Sequence, residues 1–271
     1  MSTEEPRGAI LRPGAAARAF EVERHAPSPA MAPFVQHYWF ARWWVPDGEE
    51  HVQHILPLPA VNLTIERDAE TITGPVSRRS EKRLTGRSRV FGVLFRPGGF
   101  QPFFRRSMHE LVDRTLPVGA LFEGDVSALR EALWASVGLD RERSRQVGLL
   151  EAFLGEAGAS PGPGIERVQA VVDAAREDRT LLRADALAER AGLSLRGLQR
   201  LLRRHLGLSP KLVLQRFRLQ EAAHRLVAEP GLDQAGLALS LGYCDQAHFV
   251  RDFAAVIGEP PGRYAAREAL G

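Results

Sequence analysis

The chain has 271 residues, of which 44% are hydrophobic and 25% are charged, enough to bury one or two ordinary cores. No apolar run approaches the roughly 18 to 20 residues that a membrane helix requires, and the N-terminal residues lack the apolar core of a signal peptide. We therefore expect a soluble, cytoplasmic protein. A single cysteine, Cys244, excludes a disulfide within the chain and a metal site built from several thiolates.

The first part of the chain, from about Phe20 to Leu121, carries short runs of β-branched and aromatic residues separated by Pro, Gly and Asp. Such runs, at residues 34–40, 60–65 and 89–95, are typical of strands, and the segment is predicted to form a β sandwich or barrel. From Val126 to Leu154 apolar residues recur at helical spacing instead, which predicts two helices. These helices are expected to form the dimer surface, with packing of their apolar face on the β domain as the alternative.

The alternation of residues along one predicted strand indicates where a pocket would lie. Asn62 and Thr64 face away from Leu63, towards what would be the lumen of a barrel. The alternative is that the residues of this region are packing residues with a hydrogen-bonded asparagine. We expect an effector pocket to be lined by Trp39, His54, Asn62, Phe91 and Phe95.

His51 and His54 raise the question of a metal-dependent enzyme, because such enzymes hold iron, manganese or zinc with clustered histidines. Residues three apart in a strand point to opposite faces, so the pair is poorly placed to share one ion. We predict no metal site and no cofactor.

A cluster of basic residues lies between predicted strands, among Ser, Thr and Gly. It is interpreted as a solvated loop, with a contact to DNA, to RNA polymerase or to an anionic effector as the alternatives. Its members are Arg78, Arg79, Lys82, Arg83, Arg87 and Arg89.

The stretch GEAGASPGPG, from Gly155 to Gly164, marks a boundary between domains, because Gly, Pro, Ala and Ser at such density hold neither a helix nor a strand for long. We divide the chain into a β-rich domain at 1–157, whose helical part is about 126–154, a linker at 158–164 and an all-α domain at 165–271. In the last of these, apolar spacing predicts a first helix near Ile165 to Val172 and five more at 184–191, 195–205, 211–228, 233–241 and 245–257.

The all-α domain carries all of the excess positive charge. From Ile165 onward there are 16 Lys and Arg against 13 Asp and Glu, whereas the preceding part has 20 of each. Eight of the basic residues lie between Arg190 and Gln220, where there is no acidic residue. Such local fields attract polyanions.

The same short pattern occurs twice in this domain. A helix-turn-helix needs a small residue where its helices touch, a turn residue that accepts a left-handed backbone, and apolar residues that hold the second helix on the first. Leu198 lies six residues after its glycine and Phe249 seven after its own, so the second turn is predicted to be one residue longer. The pattern is met first by Ala188, Gly192, Leu193, Leu198 and Leu201, and again by Ala238, Gly242, Tyr243, Phe249 and Phe253.

The second helix of the first copy has a polar face suited to DNA. With its leucines turned inward, Arg and Gln side chains point outward at helical spacing, where they can bond guanine and adenine edges in a major groove while flanking arginines neutralise phosphates. The alternative is a solvated amphipathic helix. The outward residues are Arg196, Gln199, Arg200, Arg203 and Arg204.

A long helix is predicted between the two copies, from Lys211 to Ala228, after Ser209 and Pro210. At ~1.5 Å per residue it spans roughly 27 Å, enough to set two recognition helices about one DNA turn apart, at ~34 Å. One monomer would then read two successive major grooves.

Three segments together resemble the DNA-binding domain of AraC-type (AraC/XylS) transcriptional regulators: LAERAGLSLRGLQRLLRRHLGLSP, the long helix, and LALSLGYCDQAHFVRDFAAVIGEPPGRY. The resemblance extends over roughly Ile165 to Ala266, with both helix-turn-helix units and the closing Gly-x-Pro-Pro-x-x-Tyr in order. It implies that the base-reading residues are Arg196, Gln199 and Arg200 in the first unit and Gln246, Ala247, Val250 and Arg251 in the second.

The second unit departs from the family pattern. After Arg251, where the family usually has basic residues, this sequence continues with Asp252 and has no Lys or Arg up to Val256. Each missing phosphate contact weakens binding and flattens its salt dependence, so we expect the first unit to dominate the affinity. Cys244, just before the second recognition helix, is interpreted as a small turn residue, with a redox-sensitive thiol as the alternative.

Four stretches of the first part, beginning at Pro57, Gly74, Arg89 and Glu110, resemble the β-rich, cupin-like N-terminal domain of a subgroup of AraC-type regulators. This resemblance covers about Pro33 to Gly124. It implies effector sensing or protein interaction without naming a ligand.

The two resemblances imply a two-domain α+β protein, in which a β-rich cupin-like barrel with flanking helices precedes an all-α domain with two helix-turn-helix motifs. The implied function is transcriptional regulation by a monomer or homodimer that binds double-stranded DNA, contacts RNA polymerase, holds a small effector in its N-terminal domain and is not an enzyme. The alternatives are a cupin-type metal-dependent enzyme fused to a DNA-binding module, and a regulator whose N-terminal domain binds a protein.

Overall fold

The structure is a computed structural model, and it describes residues 20–55, 58–77, 80–136, 140–229 and 231–268. Its strands are β1 (Phe20–His25), β2 (Val35–Trp44), β3 (His51–Ile55), β4 (Asn62–Ile65), β5 (Glu70–Thr73), β6 (Ser80–Leu84), β7 (Arg87–Phe95) and β8 (Thr115–Pro117). Its helices are α1 (Gln101–Phe104), α2 (Val126–Ala135), α3 (Asp140–Glu156), α4 (Pro163–Glu177), α5 (Ala184–Arg190), α6 (Leu195–His205), α7 (Pro210–Ala228), α8 (Gln234–Ser240), α9 (Gln246–Ile257) and α10 (Pro261–Glu268), with 3₁₀ turns at Met108–Leu111 and Val118–Ala120. None of the helices in these ranges is long and apolar enough to cross a membrane.

The β-rich character of the N-terminal domain is confirmed. Six strands form one antiparallel sheet in the order β1-β2-β7-β4-β5-β8, and β3 and β6 pair as a separate ribbon. Lys82 of the ribbon forms an ion pair of 2.6 Å with Glu66, directly after β4, which holds the ribbon to the sheet. Within the described residues β1 and β8 are the two edges, so the strands form an open sheet with a ribbon against it.

Alternation along the strands gives the sheet one apolar and one more polar face. Leu63, Ile65 and Phe91 point to the apolar face and are 0%, 0% and 1% exposed. They belong to one core with buried residues of α2 and α3, among them Leu133 and Phe153. The expectation that these helices form a dimer surface is therefore wrong, because the sheet of the same chain covers their apolar face.

The second domain is all α, as predicted, and each helix-turn-helix unit has its own core. The first core joins Leu198 and Leu202 of α6 to Val213, near the start of α7. The second core joins Phe249 and Phe253 of α9 to residues of the later turns of α7. Helix α7 therefore runs between the two units as a shared support.

Proline begins three helices of this domain. Pro163, Pro210 and Pro261 are the first residues of α4, α7 and α10, where a missing N–H costs no intrahelical hydrogen bond. Helix α4 thus starts inside the predicted linker, and residues 157–162 separate it from α3. Helix α10 covers the Pro-x-x-Tyr end of the closing Gly-x-Pro-Pro-x-x-Tyr segment and is an additional helix that the sequence did not predict.

The two domains meet at the C-terminal end of α6. The hydroxyl of Ser107 donates to the carbonyl of Arg203 at 3.3 Å, and Nδ1 of His109 donates to the carbonyl of Gly207 at 3.3 Å. Val112 of the same N-terminal segment packs against the core of the first unit. The N-terminal domain therefore contacts the first helix-turn-helix unit directly.

The packing of α2 on the sheet predicts the result of a core substitution. Leu133 is 0% exposed, and Leu133→Ala is expected to lower the free energy of unfolding by about 2 to 5 kcal/mol. Glu131→Ala, at an exposed position of the same helix, is the matched control and is expected to change it by less than about 0.5 kcal/mol. Urea unfolding followed by circular dichroism measures both. Equal midpoints for the Leu133→Ala protein and the wild type would contradict this packing.

Candidate nucleic-acid interface and ligand cavity

The first unit is held by a tight turn at residues 191–194, between α5 and α6. Gly192 has a φ of +65°, in the left-handed region that favours glycine. The amide of Leu193 donates to the carbonyl of Ala188 at 2.9 Å, and Ala188 is 2% exposed where the two helices approach. The hydroxyl of Ser194 then caps α6 by accepting a hydrogen bond at 3.1 Å from the amide three residues later. These contacts set the angle at which α6 leaves α5.

The second unit repeats this turn with one more residue, as predicted. Residues 241–245 join α8 to α9, and Gly242 has a φ of +77°. The amide of Tyr243 donates to the carbonyl of Ala238 at 3.0 Å, and Ala238 is 0% exposed. The carboxylate of Asp245 caps α9, accepting from the amide three residues later at 2.7 Å. The two units are built by equivalent contacts.

Helix α6 turns its leucines inward and its polar side chains outward. Leu198 and Leu202 are 0% exposed. Within the described part of the chain, no other group forms a hydrogen bond or ion pair with the side chains of the predicted DNA-contacting residues, so four guanidinium groups and one amide are free to bind a ligand. All five are exposed: Arg196, Gln199, Arg200, Arg203 and Arg204.

Not every basic residue of the 190–220 stretch faces solvent. Arg216 is 1% exposed, and its guanidinium donates to the carbonyl of Val76 in the N-terminal domain. Burial lowers the pKa of Arg216 to about 10, against the opposing charge of Asp113, so the side chain stays charged at neutral pH. Sequence reasoning missed this contact between the domains. The spacing of three residues from Val213, on the buried stripe of α7, is the signal that could have found it.

Helix α9 presents a smaller polar surface than α6. Gln246, Ala247 and Arg251 are exposed, whereas Val250 is partly buried against the second core. Arg251 is the only Lys or Arg of this helix. Cys244 is exposed in the turn before it.

Asp252 lies where the family usually has basic residues, and its carboxylate links α9 to α7. Nε2 of Gln215 in α7 donates to the Asp252 carboxylate at 2.5 Å, and Nε2 of His248 lies 3.5 Å from the same oxygen. The ring of His248 packs edge-on against Tyr243, with 5.0 Å between centroids. Burial first, and then the charge of Asp252, raise the pKa of Tyr243. Asp252 therefore stabilises the packing of α9 on α7, a role that the sequence alone did not indicate.

A cavity of about 1690 Å³ lies between the polar face of the sheet and the second domain. Strands β2, β4, β5 and β7 and the ribbon line one side of it, and helices α4 and α7 line the other. Trp39 and Asn62, two of the predicted pocket residues, both line this cavity, and Nε1 of Trp39 donates to Oδ1 of Asn62 at 3.0 Å.

The other predicted pocket residues are not brought together with these two. Phe91 and Phe95 are 1% and 0% exposed and lie in the core on the opposite face of the sheet, so their assignment to the pocket is wrong. The side chain of His54 lies outside the described residues. His51, in the same strand, has its Nε2 3.4 Å from Oε1 of Gln53. In the part of the chain that the structure describes, no group of three or more His, Cys, Asp or Glu could hold a metal ion.

His37 is a cavity residue that sequence reasoning overlooked. It lies two residues before Trp39, and alternation along β2 therefore places it on the same face. Burial, and to a smaller extent the charge of Arg24, lowers the pKa of His37 to about 4. The imidazole is accordingly neutral near pH 7.

In the basic cluster before and within β7, the described side chains have partners inside the chain. Carboxylates pair with Lys82 at 2.6 Å and with Arg83 at 2.5 Å, and Arg87 lies over a tryptophan ring at 4.7 Å. Arg89 donates to two backbone carbonyls at the end of α2. The interpretation as a solvated loop is therefore wrong for these four residues, because they lie in β6 and β7 and have partners within the chain. Two members lie outside the described residues, Arg78 and Arg79.

The neutral state of His37 predicts a pH dependence of stability. Its pKa is about 4 in the folded chain against an ordinary value of 6.5, so the unfolded chain binds the proton more readily between these values. The contribution of neutral His37 to the free energy of unfolding is therefore complete above pH 6.5, and it is lost as the pH falls towards 4. His37→Gln is expected to flatten this part of the curve, whereas the control His224→Gln, at an exposed histidine, should keep it. Thermal unfolding across this range measures both, and parallel curves for wild type and His37→Gln would contradict the burial of His37.

Two family models match the chain. One, described as a helix-turn-helix domain, matches residues 187–267, and the other, described as a domain of unknown function, DUF6597, matches residues 23–117. The HTH-type transcriptional activator RhaS of Escherichia fergusonii is 39% identical over 77 residues, which are 28% of this chain and 27% of that protein. The chain therefore spans about a quarter of the length of this relative.

Solved structures of regulators are also similar. A probable AraC family transcriptional regulator from Rhodopseudomonas palustris is 28% identical, covers 38% of this chain and 97% of its own, and has a TM-score of 0.34. ToxT from Vibrio cholerae is 8% identical, covers 91% of this chain and 98% of its own, and has a TM-score of 0.39.

Proposed function

We propose that the chain is a transcriptional regulator of the AraC/XylS type that binds specific DNA sequences through its C-terminal domain. The observation that carries this proposal is the repeated unit. Two capped helices, α6 and α9, pack on the earlier and later turns of one long helix and turn exposed arginines outward. A solvated amphipathic helix requires no such duplication.

The first unit is proposed to supply most of the affinity. Its guanidinium and amide groups suit guanine and adenine edges, and the arginines at the end of α6 suit phosphates. In the second unit, a single arginine and a glutamine read bases, and Ala247 contacts a thymine methyl group. Helix α7, with 19 residues, spans roughly 28 Å and sets the two readers about one DNA turn apart.

Selection of genomic DNA fragments by the purified full-length protein, at about 150 mM salt, tests this proposal. We expect enrichment of one motif with two half-elements about 10 base pairs apart. The selection is repeated with small-molecule extracts added. Enrichment only in their presence would mean that the protein requires an effector to bind DNA. A failure to enrich any motif under both conditions would contradict the proposal.

We further propose that an effector in the cavity between the domains alters the DNA-binding units. Support comes from α7, which lines the cavity with Arg218 and contributes to the cores of both units. In this proposal the chain acts in the cytoplasm by binding rather than by catalysis, and DNA occupancy changes the recruitment of RNA polymerase.

Arg200→Ala is expected to weaken binding to the selected operator by about 1 to 3 kcal/mol and to relax the preference at one base position, because a bidentate base contact is lost. Arg42→Ala, at a guanidinium that is 64% exposed in the N-terminal domain, is the control and should leave the affinity unchanged. Fluorescence anisotropy with operators permuted at each position measures both effects. An equal loss on every sequence would mean that Arg200 contacts only phosphate.

Arg251→Ala is expected to reduce the affinity less than Arg200→Ala does. Helix α9 has no second Lys or Arg to neutralise phosphate, so less binding free energy depends on it. The same anisotropy titrations, repeated over a series of salt concentrations, give the two affinities and their salt slopes. A loss at Arg251 equal to or larger than that at Arg200 would refute the ranking of the units.

A further inference from the structure

We propose that the cavity binds a small uncharged ligand with a flat aromatic or heteroaromatic ring, which stacks on the indole of Trp39 and accepts a hydrogen bond from the side-chain amide of Asn62. The proposal rests on the effector-binding role proposed above and gives the chemistry of the ligand. It is carried by the surroundings of Trp39 on the polar face of the sheet.

The residue at position 92 allows the indole to lie flat on the sheet. Trp39 of β2 is directly opposite Gly92 of β7, and a Cβ atom at this glycine would stand 2.0 Å from Cε2 of the indole. The ring system therefore covers the backbone of β7 and extends towards β4, where Nε1 reaches Oδ1 of Asn62 at 3.0 Å. One face of the indole rests on the sheet, and the other lines the cavity. A flat apolar platform of this kind favours an offset-stacked ring.

Among the polar groups beside the Trp39 indole, the side-chain N–H donors of Asn62 have no partner within the described residues. The hydroxyls of Thr64 and Thr71 bond each other at 2.8 Å, and Oδ1 of Asn62 is used by Trp39. Nδ2 of Asn62 has no acceptor within the described residues. Asn62 is partly exposed and lines the cavity, so its N–H groups can donate to a ligand acceptor such as a carbonyl oxygen or a ring nitrogen.

The surroundings of the platform disfavour a charged or a highly hydroxylated ligand. Ala41, Val90 and Leu94 are its neighbours on the same face, and they offer hydroxyl groups no partners. The imidazole of His37 is neutral near pH 7, because burial lowers its pKa to about 4. Beside the indole, these neighbours offer a buried charge no partner. Arg218 also lines the cavity, but from α7 on the side opposite the sheet, and the arginines that line it from the sheet, Arg24 and Arg96, are exposed to solvent.

Titration of the full-length protein with four probes tests the proposal, with the indole N–H signals of ¹⁵N-labelled tryptophan as the readout. Benzamide is flat, neutral and carries a carbonyl. Cyclohexanecarboxamide keeps the amide but is not flat, benzoate keeps the ring but is charged, and D-glucose is a hydroxylated ring. Benzamide is expected to shift the Trp39 signal with a dissociation constant on the order of 1 mM, as its small size dictates. The other three should bind about tenfold more weakly.

Three variants connect the signal to the site. Trp39→Ala and Asn62→Leu are each expected to weaken benzamide binding about tenfold, with saturation-transfer difference signals of benzamide as the readout. Gly92→Ala should do the same while keeping the tryptophan, because the new Cβ displaces the indole. Trp44→Ala is the matched control, since Trp44 is 63% exposed and does not line the cavity. Circular dichroism and DNA binding establish that each variant is folded.

The proposal is overturned if benzamide leaves the Trp39 signal unchanged, if cyclohexanecarboxamide, benzoate or glucose binds as tightly as benzamide, or if Trp39→Ala binds benzamide like the wild type. These titrations contain no DNA. A failure to select any DNA motif would therefore remove the proposed regulatory function while leaving the assignment of the ligand class to be judged by the titrations alone.

Discussion

Two helices can cross closely only where a small side chain lies at their contact, and the DNA-binding half of the molecule depends on this constraint twice. Ala188 and Ala238 occupy the two crossings with exposures of 2% and 0%. In each unit the carbonyl of this alanine receives the amide five residues later, across a glycine with positive φ. The direction of each recognition helix, and so the face that it presents, follows from these contacts.

Helix α7 extends this local geometry across the molecule. Its early residues complete the core of the first unit and its later ones that of the second. From the middle of the helix, Arg216 enters the N-terminal domain and donates to the carbonyl of Val76, while Arg218 lines the cavity. A ligand in the cavity would therefore contact the same helix that supports both recognition helices.

The parts of the fold that the sequence predicted are those determined by local spacing. The two turns, their difference of one residue and the outward arginines of α6 all follow from residues within one helical turn or one connection of each other. The contacts it did not predict depend on partners far away in the chain. Arg216 meets a carbonyl 140 residues distant, and Asp252 meets Gln215 at a separation of 37.

The errors in the ligand site have a similar origin. Alternation along β4 correctly places Asn62 and Leu63 on opposite faces of the sheet. It does not indicate which of the two faces the flanking helices cover. Phe91 and Phe95 instead fill the core, as buried aromatic side chains commonly do, on the face of the sheet that α2 and α3 cover. His37 and Trp39, on the same face of one strand, show that the correct signal was the period of two.

The proposed mode of DNA binding requires that a single chain reads two successive major grooves. Hydroxyl-radical footprinting of the full-length protein on its selected DNA, with the number of bound chains determined by mass photometry on the same complex, tests it most directly. We expect one chain per site and two protected patches about 10 base pairs apart on one side of the duplex. A single protected patch per chain, or a second patch that appears only when a second chain binds, would contradict it.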